Sequence, residues 1–350
     1  MEHVLPQWLI ELTGNPKRIA GFGYYKGLEK EGLVKRKFAF SAFKFPSCKE
    51  CNQRFASLEA SAKVIVEKMI SEGPLSESDL NVLLDWFDKV RIGLWLGFLY
   101  LDKNPLGISP HFHIQHRIRQ HDRMIAIFKA DGNRRGLNIS GCDTVAFSQT
   151  PSCFCLRINS LFFLNMSYPN LLARRMGFPF PVKTYYMEDE RLGCSFVRGR
   201  NRIMRPVLKR PIGIKGTELY QTIFYGNIVS EGGGKGKSLY DTKYVRDNCM
   251  VWEEGIGKIY VKKDSEVGAC NTCPSMEWLP ERTHDFEELM FDVQLLTFEW
   301  QSYMLEKIGE SSMELLSDGK RRQLISLTTI SKYENRGMLK LLIKAKRHGI

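Results

Sequence analysis

From Leu80 to Tyr100 the chain runs through Leu83, Leu84, Phe87, Val90 and Leu94 at helical spacing, and by the end of this stretch nearly every side of the predicted helix is apolar. Such a helix cannot lie on a surface, so the rest of the chain has to be built around it. Ser76 or Ser78 is placed to cap its start and Asn104-Pro105 to end it. Trp86 and Trp95 therefore read as core side chains. The longest apolar run, Ile92 to Leu101, is about half of the roughly 20 residues a membrane span needs, and Arg91 and Asp102 bound it.

The 350 residues are 43% hydrophobic and 26% charged, an ordinary globular balance that allows two or three domains with real cores. Nine cysteines, odd in number and unevenly spread, argue against a disulfide framework and for a reducing compartment. The opening residues Met1 to Val4 lack the basic and apolar regions of a signal peptide, so a cytoplasmic protein with no membrane partner is expected. A net charge of +12 favours polyanionic partners, nucleic acid first among them.

Chemistry concentrates near the start. Ser47-Cys48-Lys49-Glu50-Cys51-Asn52 places two thiols at C-x-x-C spacing where an aromatic strand gives way to a helix. Two thiolates on a tight turn reach one tetrahedral ion, which makes Cys48 and Cys51 half of a zinc site. The bland alternative is a pair of core thiols. Glu2-His3-Val4-Leu5-Pro6 precedes them, and Asn52 follows directly on the opening turn of the helix.

Taken together, E-H-V-L-P and C-x-x-C-N-x-x-F resemble the HNH endonuclease family, whose fold is the ββα-metal, treble-clef unit. The resemblance covers roughly the first seventy residues. It implies that His3 is the general base that activates water, that Glu2 and Asn52 ligate a catalytic divalent ion, and that Cys48 and Cys51 hold a structural zinc. Phosphodiester hydrolysis needs groups of these kinds. Imidazole has the side-chain pKa nearest neutrality, and a hard cation such as Mg²⁺ or Mn²⁺ accepts carboxylate and amide oxygens while it neutralises the phosphate. Relatives usually carry a further C-x-x-C ahead of the E-H pair, and this sequence carries none there. The zinc site is thus incomplete locally; Cys270 and Cys273, a second C-x-x-C, are the candidates to complete it in space.

Other stretches invite weaker proposals. Around the first motif, Pro6 to Leu12 reads as a short helix, Lys26 to Lys37 as a charged connector, and Phe38, Phe40, Phe43 and Phe45 as an aromatic strand with a bulge near Ser41. Its aromatic side would form a platform beneath the metal site. His111 and His113 would share a strand face, yet no carboxylate or cysteine lies at close ligand spacing. Arg117, Arg119 and Arg123 after them are candidate phosphate contacts. Glu231 to Ser238 imitates a phosphate-binding loop but puts glutamate where the first glycine belongs, leaving a basic loop whose Lys235 and Lys237 could meet nucleic acid. Cys153 and Cys155 read as core thiols, Asn159-Ser160 as a hairpin turn, and Met166 to Met176 as a short helix. Glu287, Glu288 and Asp292 fall on the polar side of an expected helix from His284 to Leu305, and Lys340 to His348 forms a basic helical tail.

The expected architecture is α+β: an HNH-like ββα-metal domain over 1–75, a helical segment over 76–124, a β-rich region over 125–280 and a helical region over 281–350. The expected activity is metal-dependent hydrolysis of DNA phosphodiesters, a chemistry that in this family often serves defence. An HNH-derived protein that binds nucleic acid without cutting it is the alternative.

Overall fold

The computed structural model describes residues 2–26, 33–45, 49–101, 114–173, 180–186, 192–197, 214–223, 249–251, 254–263, 266–270, 278–311 and 317–348. Helix and sheet are mixed, as expected for α+β.

The first strand, β1 (Glu2–His3), leads into α1 (Gln7–Leu12). The stretch read as a charged connector is instead half of a β-hairpin, β2 (Ile19–Lys26) against β3 (Leu33–Ala39). Where a bulge was expected, a 3-10 turn over Phe40–Ala42 redirects the chain into β4 (Lys44–Phe45). This turn drives both Phe40 and Phe43 inward, to 6% and 1% exposure, which a regular alternating strand could not do. Helix α2 (Lys49–Ile70) follows and buries Phe55, Ala62, Ile65, Val66 and Met69. The chain then turns through Glu72, in the left-handed region at φ 58°, and Gly73.

Helix α3 (Glu77–Leu101) opens on a reciprocal cap. The Asp79 N–H donates to Ser76 Oγ at 3.1 Å and the Ser76 N–H to the Asp79 carboxylate at 3.0 Å. Every residue from Leu83 to Trp95 is buried, so this is the central helix its pattern demands.

The β-rich region forms one nine-stranded sheet. Its members are β5 (Arg123–Ala130), β6 (Leu137–Ser140), β7 (Cys153–Ile158) and β8 (Leu161–Ser167), then β11 (Thr217–Ile223), β12 (Cys249–Val251), β13 (Ile256–Lys263), β14 (Glu266–Ala269) and β15 (Thr283–His284). A separate hairpin pairs β9 (Phe180–Tyr186) with β10 (Leu192–Val197). The order is β12-β13-β11-β5-β8-β7-β6, with β14 on β13 and β15 beside β5, the one parallel pairing among the described residues. Asn159-Ser160 turns the β7–β8 hairpin as expected, with Asn159 at φ 56°. Met166 belongs to β8 rather than to a helix, because it pairs with Met124 and Cys153 across the sheet.

Alternation along the strands gives the sheet two apolar faces. Ile125, Ile127, Phe154, Leu156 and Phe163 pack with α3, and the same core continues through α2 to Val4, Leu9 and Ile10. Met124, Ala126, Phe128, Phe162 and Leu164 face the other way, against α5 (Phe286–Ser311). A short helix, α4 (Val145–Gln149), and the long α6 (Asp318–His348) pack beside α5. The layers are α3, sheet, α5. Asp292 is not the solvated acid its helix pattern suggests: it is 5% exposed and ion-paired with Lys346 of α6, a partner 54 residues away. Burial raises its carboxyl, and Lys346 offsets part of that rise.

Candidate functional site

The motif residues near the start are brought onto adjoining elements. β1 and β4 pair antiparallel, His3 opposite Lys44 and Glu2 opposite Phe45. One residue on, the Val4 N–H donates to the Phe43 carbonyl at 3.0 Å and extends the ladder. Val4, Leu5, Leu9, Ile10, Phe40 and Phe43 beside these strands are all nearly inaccessible, so Phe40 and Phe43 of the expected aromatic strand belong to the core, while the side chains of Phe38 and Phe45 are not described. Phe43 meets Phe98 of α3 edge to face with ring centroids 5.3 Å apart. His3 itself is half-buried, with its Nδ1 atom out of contact with solvent.

Straight after β4 the chain enters α2, whose first turn carries Cys51 and Asn52. The placement of Asn52 on the opening turn follows the sequence pattern. Cys48 lies outside the described residues, and the side chains of Glu2, Cys51 and Asn52 are likewise not described. Among the described residues no three side chains of His, Cys, Asp or Glu gather as a metal centre. What the strands and helix supply is order and polarity: an antiparallel pair running into a helix, with His3 on the first strand and Asn52 at the helix start.

Under α2 sits a charge that sequence reading missed. Lys89 of α3, wholly buried, forms an ion pair with Glu59 of α2 and lies 5.7 Å from the centre of the Phe55 ring. A lysine inside a helix predicted to be buried is itself the signal, since burial of an ammonium requires an acid within reach. The partner's identity needs the fold.

Two candidate phosphate contacts are corrected. Arg123 is 0% exposed on β5, and its guanidinium is consumed internally. Its Nη1 donates to Asp85 at 2.6 Å and to Asp88 at 3.1 Å, its Nε to Gln221 at 2.8 Å and its Nη2 to Asn81 at 3.2 Å. Arg119 forks onto the Asp85 carboxylate at 2.9 Å and 2.6 Å and reaches Glu254 at 2.7 Å. Arg91 adds an ion pair to Asp88 at 2.7 Å and a hydrogen bond to Asn165 at 2.8 Å. These groups form a lock between α3 and the sheet. Burial pushes the Asp85 carboxyl up, but its hydrogen bond to Arg119 and the charges of Arg123 and Arg119 outweigh this and leave it below its usual range. A guanidinium held this way cannot turn outward to a phosphate without stranding buried carboxylates. Arg117, by contrast, is exposed, and its guanidinium donates to Gln120 at 3.4 Å.

The remaining candidates separate. Cys270 is 7% exposed and joins the α3-side core, while Cys273 lies outside the described residues. So do His111, His113, Lys235 and Lys237. Cys153 and Cys155 are core thiols as read, and burial pushes Cys155 above the ordinary thiol range. Cys142, Cys153, Cys155 and Cys249 are free thiols. No described helix is long and apolar enough to cross a membrane. Compared with protein-family models, with curated proteins and with solved structures, the chain gives no match in any of the three.

Proposed function

We propose that the chain is a metal-dependent endonuclease of the HNH type that hydrolyses DNA phosphodiesters. The observation that supports this most is the pairing of the Glu2–His3 strand with the Lys44–Phe45 strand immediately ahead of a helix whose first turn carries Cys51 and Asn52. That is the sequence of elements an HNH centre uses. In this reading His3 takes the proton from the attacking water, while Glu2 and Asn52 offer oxygen ligands to Mg²⁺ or Mn²⁺. The ion, when bound, neutralises charge on the scissile phosphate and the leaving oxygen. Cys48 and Cys51 would contribute to a structural zinc at the start of α2. The chain's own residues do the rest: buried Phe40 and Phe43 and the Val4–Phe43 bond hold the backbone next to His3 against the core.

The net charge of +12 fits a polyanionic substrate. The test is nicking of supercoiled plasmid by the purified chain with Mg²⁺ or Mn²⁺, beside an EDTA control. Nicking that needs the ion supports the proposal. Folded protein that binds the plasmid and leaves it intact points to the alternative, a nucleic-acid-binding protein that has lost the chemistry.

A further inference from the structure

Helix α6 is a basic rod of 31 residues with nine lysines and arginines against two acids, Asp318 and Glu334. Its inner side is fixed by polar contacts. Asn335, 0% exposed, donates to the Phe298 carbonyl at 3.4 Å and to Ser302 at 3.4 Å. Ser331, also 0% exposed, accepts from Gln149 at 2.9 Å, and the Glu334 carboxylate accepts the Val145 N–H at 2.8 Å. Polar contacts of this kind are directional, so they set the rotation of the helix and not merely its position.

That rotation decides what faces outward. At about 100° per residue, Tyr333 lies opposite both Ser331 and Asn335, and it is 83% exposed. On the same line stand Arg322, Ser326, Thr329, Arg336, Lys340 and Lys344, all exposed, at steps of three and four. The line is free of carboxylates, because Glu334 is turned inward and Asp318 is at the helix start. Glu299 and Glu306 line the groove between α5 and α6 together with Lys332 and Arg336, so Arg336 stands where the outer line borders that groove. From Arg322 to Lys344 the line is about 33 Å long, close to one turn of a DNA duplex at roughly 34 Å.

We infer that this outer line of α6 is the surface that takes the phosphate backbone of a nucleic acid duplex, and, resting on the endonuclease reading, that it holds the substrate while the chemistry occurs elsewhere. Arginine, lysine, serine, threonine and tyrosine are the side chains that donate hydrogen bonds to phosphate oxygens. The other partner of basic helices is an anionic membrane, and the pattern disfavours it. The exposed apolar residues Ile325 and Ile343 fall on one side of the basic line and Ile330 and Leu341 on the other, so no single apolar face exists to enter a bilayer.

The test is fluorescence anisotropy of a labelled two-turn DNA duplex, in EDTA so that no cleavage occurs, over a series of salt concentrations. The wild-type chain is compared with Arg322→Gln/Arg336→Gln/Lys340→Gln and, as a control for a lysine lost elsewhere on the surface, with Lys63→Gln on α2. Each lost phosphate contact should lower the slope of log affinity against log salt by about 0.9, so the triple variant should lose about 2.7 and Lys63→Gln about none. Equal slopes for wild type and triple variant overturn the inference, as does wild type that ignores the duplex or prefers phosphatidylserine vesicles. Normal slopes with no plasmid nicking in Mg²⁺ or Mn²⁺ would sink the endonuclease reading alone and leave the surface standing.

Discussion

Gly97 of α3 faces Val4, the residue that follows β1, so closely that a Cβ on Gly97 would stand 2.6 Å from Val4 Cγ2. Phe43 closes on the same point at 2.9 Å. The central helix and the end of the strand that carries His3 are thus in direct contact, and the contact exists only because position 97 has no side chain. The short strand that carries His3 is thereby tied to the core.

Replacing Gly97 with alanine should therefore cost roughly 1–3 kcal/mol through overpacking, although alanine favours helix. Urea denaturation measures the loss. Stability equal to wild type would mean that the strand yields easily and that the core does not hold it.

Arg123→Met tests the lock between α3 and the sheet. Methionine fills similar space and leaves Asp85 and Asp88 buried with fewer compensating donors, for an expected loss of about 3–5 kcal/mol. Duplex affinity of the folded variant should stay at the wild-type level, because the guanidinium does not reach solvent. Weaker binding without loss of stability would restore Arg123 as a phosphate contact.

His121 and Asp122 respond to pH in opposite senses. Burial, with the nearby Arg91 charge, pushes the His121 imidazole from 6.5 down to about 4. The unfolded chain then binds the extra proton, and stability is lost as pH falls from about 6.5 to about 4. Burial pushes the Asp122 carboxyl from 3.8 up to about 6, although Ala173, Ile223 and Leu172 donate backbone N–H groups to it. Here the folded chain keeps the extra proton, and stability is lost as pH rises from about 3.8 to about 6. Between about 4 and 6 the two trends oppose each other. His121→Gln removes one of them, so between mildly acid and near-neutral pH the variant should lose stability relative to wild type by about 1 kcal/mol per pH unit. Parallel pH curves for the two proteins would contradict this.

Much of the fold could be read from local pattern. The apolar α3, its Ser76 cap, the Asn159-Ser160 turn and the long helix after His284 all depend on neighbours within a few residues. What escaped depends on distant ones. Arg119 and Arg123 look like surface arginines in sequence, because their partners Asp85 and Asp88 are more than thirty residues away. The warning was present in α3 itself, where two acids three residues apart sit inside a helix too apolar to be exposed. Asp292 misled for the same reason, its partner being on another helix. In the candidate site the elements were legible and the pairing was not: only the structure sets His3 opposite Lys44.

The measurement that bears most directly on the endonuclease proposal is the rate of plasmid nicking in Mg²⁺ or Mn²⁺ by wild type and by His3→Ala, with melting temperature and duplex affinity recorded for both. If His3 is the general base, the variant should be slower by about 10²–10⁴-fold while it melts and binds as wild type does. Equal rates, or folded wild-type protein that cuts with neither ion, would contradict the account.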